Sequence, residues 1–561
     1  MNPPRARRFP RREAIRATVG VALVAVAMCG AAAPAVPAAA PRFELAAAPF
    51  DESKARGLLV AMARGDCSAN GVPPRTPRGP VIQWKCGGWL AELDTRTGNL
   101  FVADMTRLWK ATPLGPLPSC RKAQALARAF RDTYGLDPPI LKGVSLEFAG
   151  CTSTQQVDKD GGRPKRLDVQ VVYMPAVAVG SGFLGTRSDP VIGLSAKVRV
   201  TFAGRDEVIA FSGWLPRLTQ TEQAWQRSEV PVAEPPEVAA VAARRWFWSR
   251  KRSWPVYHAQ TDANGTATLT PAWLVNPNDN VKEGDPRVPL RIVSAAESDG
   301  RPEAAALCGG DSRPTSFDPP PPDAHTLNCA TEWLSNQLPN SCANKQGFVD
   351  GCRAAGGKVL FDFGDRSAIQ DDFAGHNNRF VDSADLVFYS GHASSSGWEL
   401  NEPDKPLMVW ENLTAHDGYG DGRMKWLVIS ACGPLHSREF LTKAFKVFPD
   451  SALLRWKNAF RGLHALLGFG SDSVDTPDEG RLFMELTGRG WGVIDAWFRT
   501  AQDTQPVANR GFWPVGPGIY VVAMYAHNGD NCTRNEQLGN GGGQCSIRPD
   551  GQTLELLWSG T

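Results

Sequence analysis

The chain has 561 residues, room for two or more domains. Its 42% hydrophobic and 21% charged residues are those of a globular protein. Lys+Arg at 61 against Asp+Glu at 58 leaves a net charge of +3, which gives no electrostatic footprint for nucleic acid, so no nucleic-acid partner is expected.

The first sixteen residues carry six arginines and one acid, and a short apolar run, Ala17 to Gly30, follows. Ala-Pro-rich sequence then continues to about Ala40. A basic start, a short apolar stretch and small residues describe a secretory signal peptide over 1–40. The run is shorter than the ~20 residues of a membrane-spanning helix, and no second run is long enough, so no stable membrane span is expected. The expected location is secreted, periplasmic or extracellular.

Residues 41–255 read as an N-terminal α+β accessory or pro-region. Arg121 to Tyr134 places Leu126, Phe130 and Tyr134 on one helical face, and Gly135 is a stop signal. Leu194 to Phe202 alternates as a half-buried strand, and Gly204-Arg205-Asp206 turns it into a second strand, Glu207 to Trp214. Val238 to Trp248 is a further helix candidate. Residues 256–323 form a strand-containing connector, with a strand about Ala272–Val275, ending in the proline-rich linker Asp318–Asp323.

Over 324–530, apolar runs alternate with helical patterns. Lys358–Phe363, Ala384–Ser390, Trp426–Ser430, Leu463–Phe469 and Ile519–Tyr525 read as strands buried on both faces. Phe348–Ala355, Phe440–Val447, Glu479–Leu486 and Val493–Ala501 read as helices. This alternation predicts an α/β domain with a mostly parallel central sheet. Residues 531–561 read as a disulfide-containing tail.

Twelve cysteines are present, and removal of Cys29 with the signal leaves eleven. Ten sit in polar or loop-like sequence, whereas Cys432 ends an apolar run. Five bridges among the ten would leave Cys432 as a thiol. Near-neighbour pairings Cys67–Cys86, Cys120–Cys151, Cys342–Cys352 and Cys532–Cys545 are plausible, but spacing does not fix connectivity.

The chemistry gathers at two strand ends. One reads Tyr389-Ser390-Gly391-His392, the other Ile429-Ser430-Ala431-Cys432-Gly433. In parallel α/β sheets, sites form beyond the carboxyl ends of strands. An imidazole beside a thiol takes its proton or stabilises the thiolate, which is the nucleophile. Backbone N–H groups of the small-residue turns, Gly391, Ala393 and Gly433, are candidate oxyanion donors. Taken alone, a cysteine ending a strand is usually an inert small hydrophobe.

An apolar block ending in His-Gly and a second ending in Ala-Cys mark caspase-, legumain-, gingipain- and clostripain-like cysteine peptidases, and this chain resembles that superfamily over about 324–527. Within it, the sequence is similar to a poorly characterised family of secreted bacterial proteins of the same fold. The pieces that carry the resemblance are Phe361–Asp365, Asp371–Phe373, Tyr389–His392, Ser430–Cys432, Leu467–Phe469 and Asp495–Trp497. It implies a caspase-like three-layer sandwich, with His392 as acid/base and Cys432 as nucleophile acting on a protein or peptide substrate. The departure is Ala393, where the superfamily has glycine. An alanine still offers an N–H, but a turn needing positive φ would penalise it.

The loop Asp472–Glu479 follows the Leu463–Phe469 strand, so Asp472, Asp475 and Asp478 are substrate-pocket candidates that would favour a basic residue before the scissile bond. The same acids also suit a solvated loop or a structural calcium ion. No cofactor is expected: P-loop, HExxH and CxxC patterns are missing. His436 is the reserve base, His464 reads as strand, and His376 and His416 read as loop. Gly539–Gly543 reads as a disulfide-closed loop. Two further functions suit this scaffold, a catalytically inactive binding or surface protein and a transpeptidase using the same dyad. The oligomeric state is not legible.

Overall fold

The computed structural model describes residues 39–561 apart from loop stretches, the longest being 215–224, 232–252, 276–288, 295–320, 438–450 and 508–517. The expected signal peptide, the helices at Val238–Trp248 and Phe440–Val447, most of the proline linker, and His416 lie outside the described residues. Residues 39–561 form one compact unit. Among the described residues, no helix is long and apolar enough to cross a membrane.

The N-terminal and connector segments build a fourteen-stranded sheet. Its pairings are antiparallel except where Gly185–Gly193 runs parallel to Ser253–Thr261. The predicted helix and hairpin are there: Cys120–Tyr134 is capped by the Ser119 side chain and stopped by Gly135 in the left-handed region, and Val198–Phe202 pairs with Val208–Trp214. The glycine stop is a local signal, which is why the end of this helix was legible.

A second, nine-stranded sheet positions the site. Its strands are β1 (Gln155–Asp158), β2 (Lys165–Arg166), β3 (Asn328–Trp333), β4 (Lys358–Gly364), β5 (Leu386–Ser390), β6 (Trp426–Ser430), β7 (Ala465–Phe469), β8 (Tyr520–His527) and β9 (Thr553–Gly560), in the order β4-β3-β5-β6-β7-β8-β9-β1-β2. The five strands β4, β3, β5, β6 and β7 are parallel, and every pairing from β7 to β2 is antiparallel. The expected mostly parallel sheet is therefore corrected to a mixed one. The antiparallel half arises because β8 and β9 pair as neighbours and the hairpin 155–166 of the N-terminal region adds beyond them. The segment 531–561 is accordingly not a tail alone, because it supplies β9 from within the sheet.

Three helices cover one face: α1 (Ser341–Ala354), α2 (Glu479–Gly488) and α3 (Val493–Thr504). Phe348, Phe388, Phe483 and Trp497 join Leu90, Phe101 and Ile209 of the N-terminal sheet in a single buried cluster. Trp491 stacks near Phe101 at 4.9 Å and Trp109 near Phe498 at 5.7 Å, so the helices lie between the two sheets. On the opposite face, Trp398 stacks on Trp456 at 5.3 Å within a second cluster that includes Phe361, Phe373 and Val387. The described cover there is short 3-10 turns, a three-stranded sheet and the single-turn helix Ala452–Arg455.

The bridges Cys67–Cys86, Cys120–Cys151 and Cys532–Cys545 match expectation. Cys342–Cys352 does not, because Cys352 bonds Cys329 and ties α1 to β3. Cys342 is also disulfide-bonded.

Helices α1 and α2 cross closely on glycines. A Cβ at Gly351 would lie 2.3 Å from Met484 Cβ, and one at Gly347 2.6 Å from Arg481 Cβ. Gly57, inside the helix Glu52–Met62, has nothing within 4 Å. Urea unfolding of Gly351→Ala should therefore show a loss of about 1–3 kcal/mol, whereas Gly57→Ala should gain up to about 1 kcal/mol from helix propensity. Equal effects at the two positions would contradict the close crossing.

Candidate active site

Strands β5 and β6 are parallel and in register, with Ser390 opposite Ser430. Neighbouring strands lie about 4.8 Å apart. His392 and Cys432 are each two residues beyond those paired serines, so the sheet sets them at equivalent positions above adjacent strand tips. Cys432 keeps its thiol, and both side chains are buried, Cys432 at 0% and His392 at 2% exposure.

Asn336, in the loop after β3, fixes the imidazole. His392 Nε2 lies 2.6 Å from the Asn336 carbonyl, which only accepts, so Nε2 carries the proton. In the neutral ring, Nδ1 then holds the lone pair, and this buried Nδ1 has no hydrogen-bond partner. The turn is pinned from below, where the Tyr389 hydroxyl donates to the His392 and Glu399 carbonyls at 3.2 and 2.5 Å. A Cβ on Gly391 would lie 2.2 Å from that hydroxyl oxygen, so any side chain there would have to displace the buried Tyr389 ring. Gly391 N–H donates to Ser430 O at 3.4 Å and is thus engaged in strand pairing.

Ala393 does not need positive φ. It lies in the short strand Ala393–Ser394, antiparallel to Gly397–Glu399, where alanine is unstrained. Gly433 does, with φ 66° in the left-handed region immediately after the thiol.

The loop after β7 closes over the sulfur. Ser473 N–H donates to Cys432 Sγ at 3.3 Å, and the Ser473 hydroxyl lies 3.7 Å from it. On the far edge, Leu290 N–H donates to Ser473 O at 2.7 Å and Asp475 N–H to Leu290 O at 2.8 Å, so the connector straps this loop. The acidic residues are only partly a pocket. Asp472 is half-buried. Asp475 is buried and accepts from Asn340 N–H at 3.1 Å, and Asp478 pairs with Arg481 at 2.8 Å. Burial pushes the Asp475 carboxyl up to about 7, against the Asn340 bond and the Arg291 charge. Among the described residues, no group of three or more His, Cys, Asp or Glu side chains is placed to hold a metal ion.

Of the other histidines read from the sequence, His436 sits in the turn after the thiol, its N–H donating to Gly433 O at 2.9 Å and its Nδ1 to Gly470 O at 2.9 Å, while His464 pairs with buried Glu536 at 2.6 Å just before β7 and exposed His376 lies 3.7 Å from Asp371.

Sequence reasoning missed the polar network beneath the strand tips. Asn344 of α1 donates to Ser430 and Ser390 hydroxyls at 3.0 and 3.3 Å, and Ser341 to Ser390 O at 3.0 Å. Buried Glu479 accepts from the Ser430 hydroxyl and from Gln505 Nε2. The available signal was a polar residue on an otherwise apolar helical face, which is weak without the fold.

Residues 326–559 match the domain of unknown function DUF6345. No curated protein matches the chain. A solved structure, the crystal structure of an uncharacterized protein from Eubacterium rectale ATCC 33656, matches at 8% identity and TM-score 0.24 over 46% of this chain and 85% of that one.

Burial pushes the Glu479 carboxyl up to about 7, against its bonds from Ser430 and Gln505. A carboxyl raised in the folded state contributes stability fully below its unfolded value and loses it as pH rises through the folded value. Between pH 5 and 7, Glu479→Gln should therefore remove a loss of about 1.4 kcal/mol per pH unit seen in the unmodified chain. Urea melts at pH 5, 6 and 7 measure this, and parallel slopes for the two proteins would contradict it.

Proposed function

We propose that this chain is an exported cysteine endopeptidase of caspase-like architecture, with Cys432 as nucleophile and His392 as acid/base. The observation that carries the reading is the tautomer at His392, whose Nε2–H is committed to Asn336 O while Nδ1, on the strand tip adjacent to that of Cys432, keeps its lone pair and makes no hydrogen bond, to the thiol included. Nδ1 takes the Cys432 proton, and the sulfur attacks the peptide carbonyl carbon. The proton passes to the departing amine as the C–N bond breaks, leaving a thioester. Water then gives a proton to His392, attacks the thioester, and releases the acid as the thiol is restored. A transpeptidase would use an amine at that last step instead of water. The disulfides suit an oxidising location. A basic residue before the scissile bond would require Asp475 to exchange its Asn340 contact for substrate.

The burial of both side chains favours a second reading, a catalytically silent binding scaffold. On the enzyme reading, the loop 471–475 must move away from the sulfur before substrate enters.

Incubation of the full chain with an arginyl acyloxymethyl ketone should give one adduct, on Cys432 by peptide mass spectrometry. Cys432→Ala should abolish it, and His392→Ala should slow it by about 10²-fold or more. Absence of any adduct, both on the intact chain and after limited proteolysis, would leave the scaffold reading standing.

A further inference from the structure

The loop that meets the thiol is held on two edges. Leu290 occupies one. The other is filled by a single side chain, Gln505, which is fully buried. Its Oε1 accepts from Val474 N–H at 2.7 Å and its Nε2 donates to Val474 O at 2.9 Å, as a neighbouring strand would. The same Nε2 donates to Glu479, whose other oxygen accepts from the Ser430 hydroxyl. Gln505 therefore grips both sides of the thiol. One grip is on Val474, next to the Ser473 N–H that points at the sulfur, and the other reaches Ser430, two residues before Cys432.

Gln505 is itself held from outside the C-terminal half. It caps the C-terminus of α3, directly after Thr504 and before Pro506, in an extended conformation with φ −89° and ψ 146° because the ring of a following proline disfavours helical backbone. Helix ends leave carbonyls without partners. Here the Lys197 side-chain amine, beside the N-terminal sheet, donates to Gln502 O at 2.6 Å and to Gln505 O, while burial and the neighbouring Arg199 push its pKa well below the ordinary lysine range.

We propose that Gln505 is a positioning residue for Cys432, and that Lys197 extends this support to the N-terminal sheet, making that sheet a working part of the site. The proposal rests on the peptidase reading. An N–H donated to sulfur favours the thiolate over the thiol. With Gln505 in place the Ser473 N–H stays aimed at the sulfur, and without it the 473–475 segment is held on one edge only.

The test is thiolate absorbance at 240 nm against pH, taken as the difference between each protein and its Cys432→Ser counterpart, so that buried and accessible thiols are read alike. In Gln505→Ala the ionisation midpoint should rise by about one pH unit. Lys197→Met, which leaves the glutamine in place, should raise it in the same direction. Gln502→Ala is the control. Its side chain donates to Gln170 at 3.3 Å and does not grip Val474, so its melting temperature should fall with no change in midpoint. If Gln505→Ala does not fold, the Lys197→Met midpoint decides. An unmoved midpoint in the folded variant overturns the proposal, as does an unmodified chain whose thiol does not ionise below about pH 10. The peptidase reading fails by a different result, the lack of an electrophile adduct.

Discussion

The in-register parallel pairing of β5 with β6 is the constraint on which the site depends. It fixes Ser390 beside Ser430, and the side chains that follow inherit that spacing. Because side chains alternate along a strand, a one-residue slip would send one of the two reactive groups to the other face. The register is secured from both faces. Val387, Leu427 and Ile429 pack into one core, while Leu386, Phe388 and Val428 pack into the other. The buried serines, Asn344 and Glu479 then lock the tips, since breaking this network would strand desolvated polar groups.

The second organising feature is the union of the two halves. Arg199 of the N-terminal sheet donates to Gly560 O and Thr561 O, Trp491 Nε1 to Glu92, and Lys110 pairs with buried Asp495. With the hairpin 155–166 extending the nine-stranded sheet, the N-terminal region shares core, sheet and hydrogen bonds with the residues around the thiol. An accessory segment built in this way supports the fold it joins. The connector has the opposite relation to the site, since its Leu290 straps the loop that covers the sulfur.

The parts of this design legible in sequence are the local ones. Trp426–Ser430 was exact, and β4, β5, β7 and β8 were placed within about two residues, because long apolar runs announce strands buried on both faces. The strand β3 escaped notice because Asn328, Thr331 and Glu332 are polar yet wholly buried, and only tertiary contacts license that. β9 reads as tail in the sequence because two closely spaced cysteines, Cys532 and Cys545, precede it. His392 and Cys432 were legible as candidates from their strand-end context. Gln505 and Glu479 were not, because their roles come from loops and helices far apart in the chain. The commitments of Asp475 to Asn340 and of Asp478 to Arg481 come from the packing and carry no sequence signal.

The peptidase reading requires the Cys432 sulfur and the His392 imidazole to face one another across adjacent strand tips. Treatment with 1,3-dibromoacetone, which joins a thiol to a nitrogen a few ångströms away, addresses it directly. A cross-linked peptide joining Cys432 to His392 through Nδ1 is expected. Cys432 modified at one end only, or joined to His436, would contradict it.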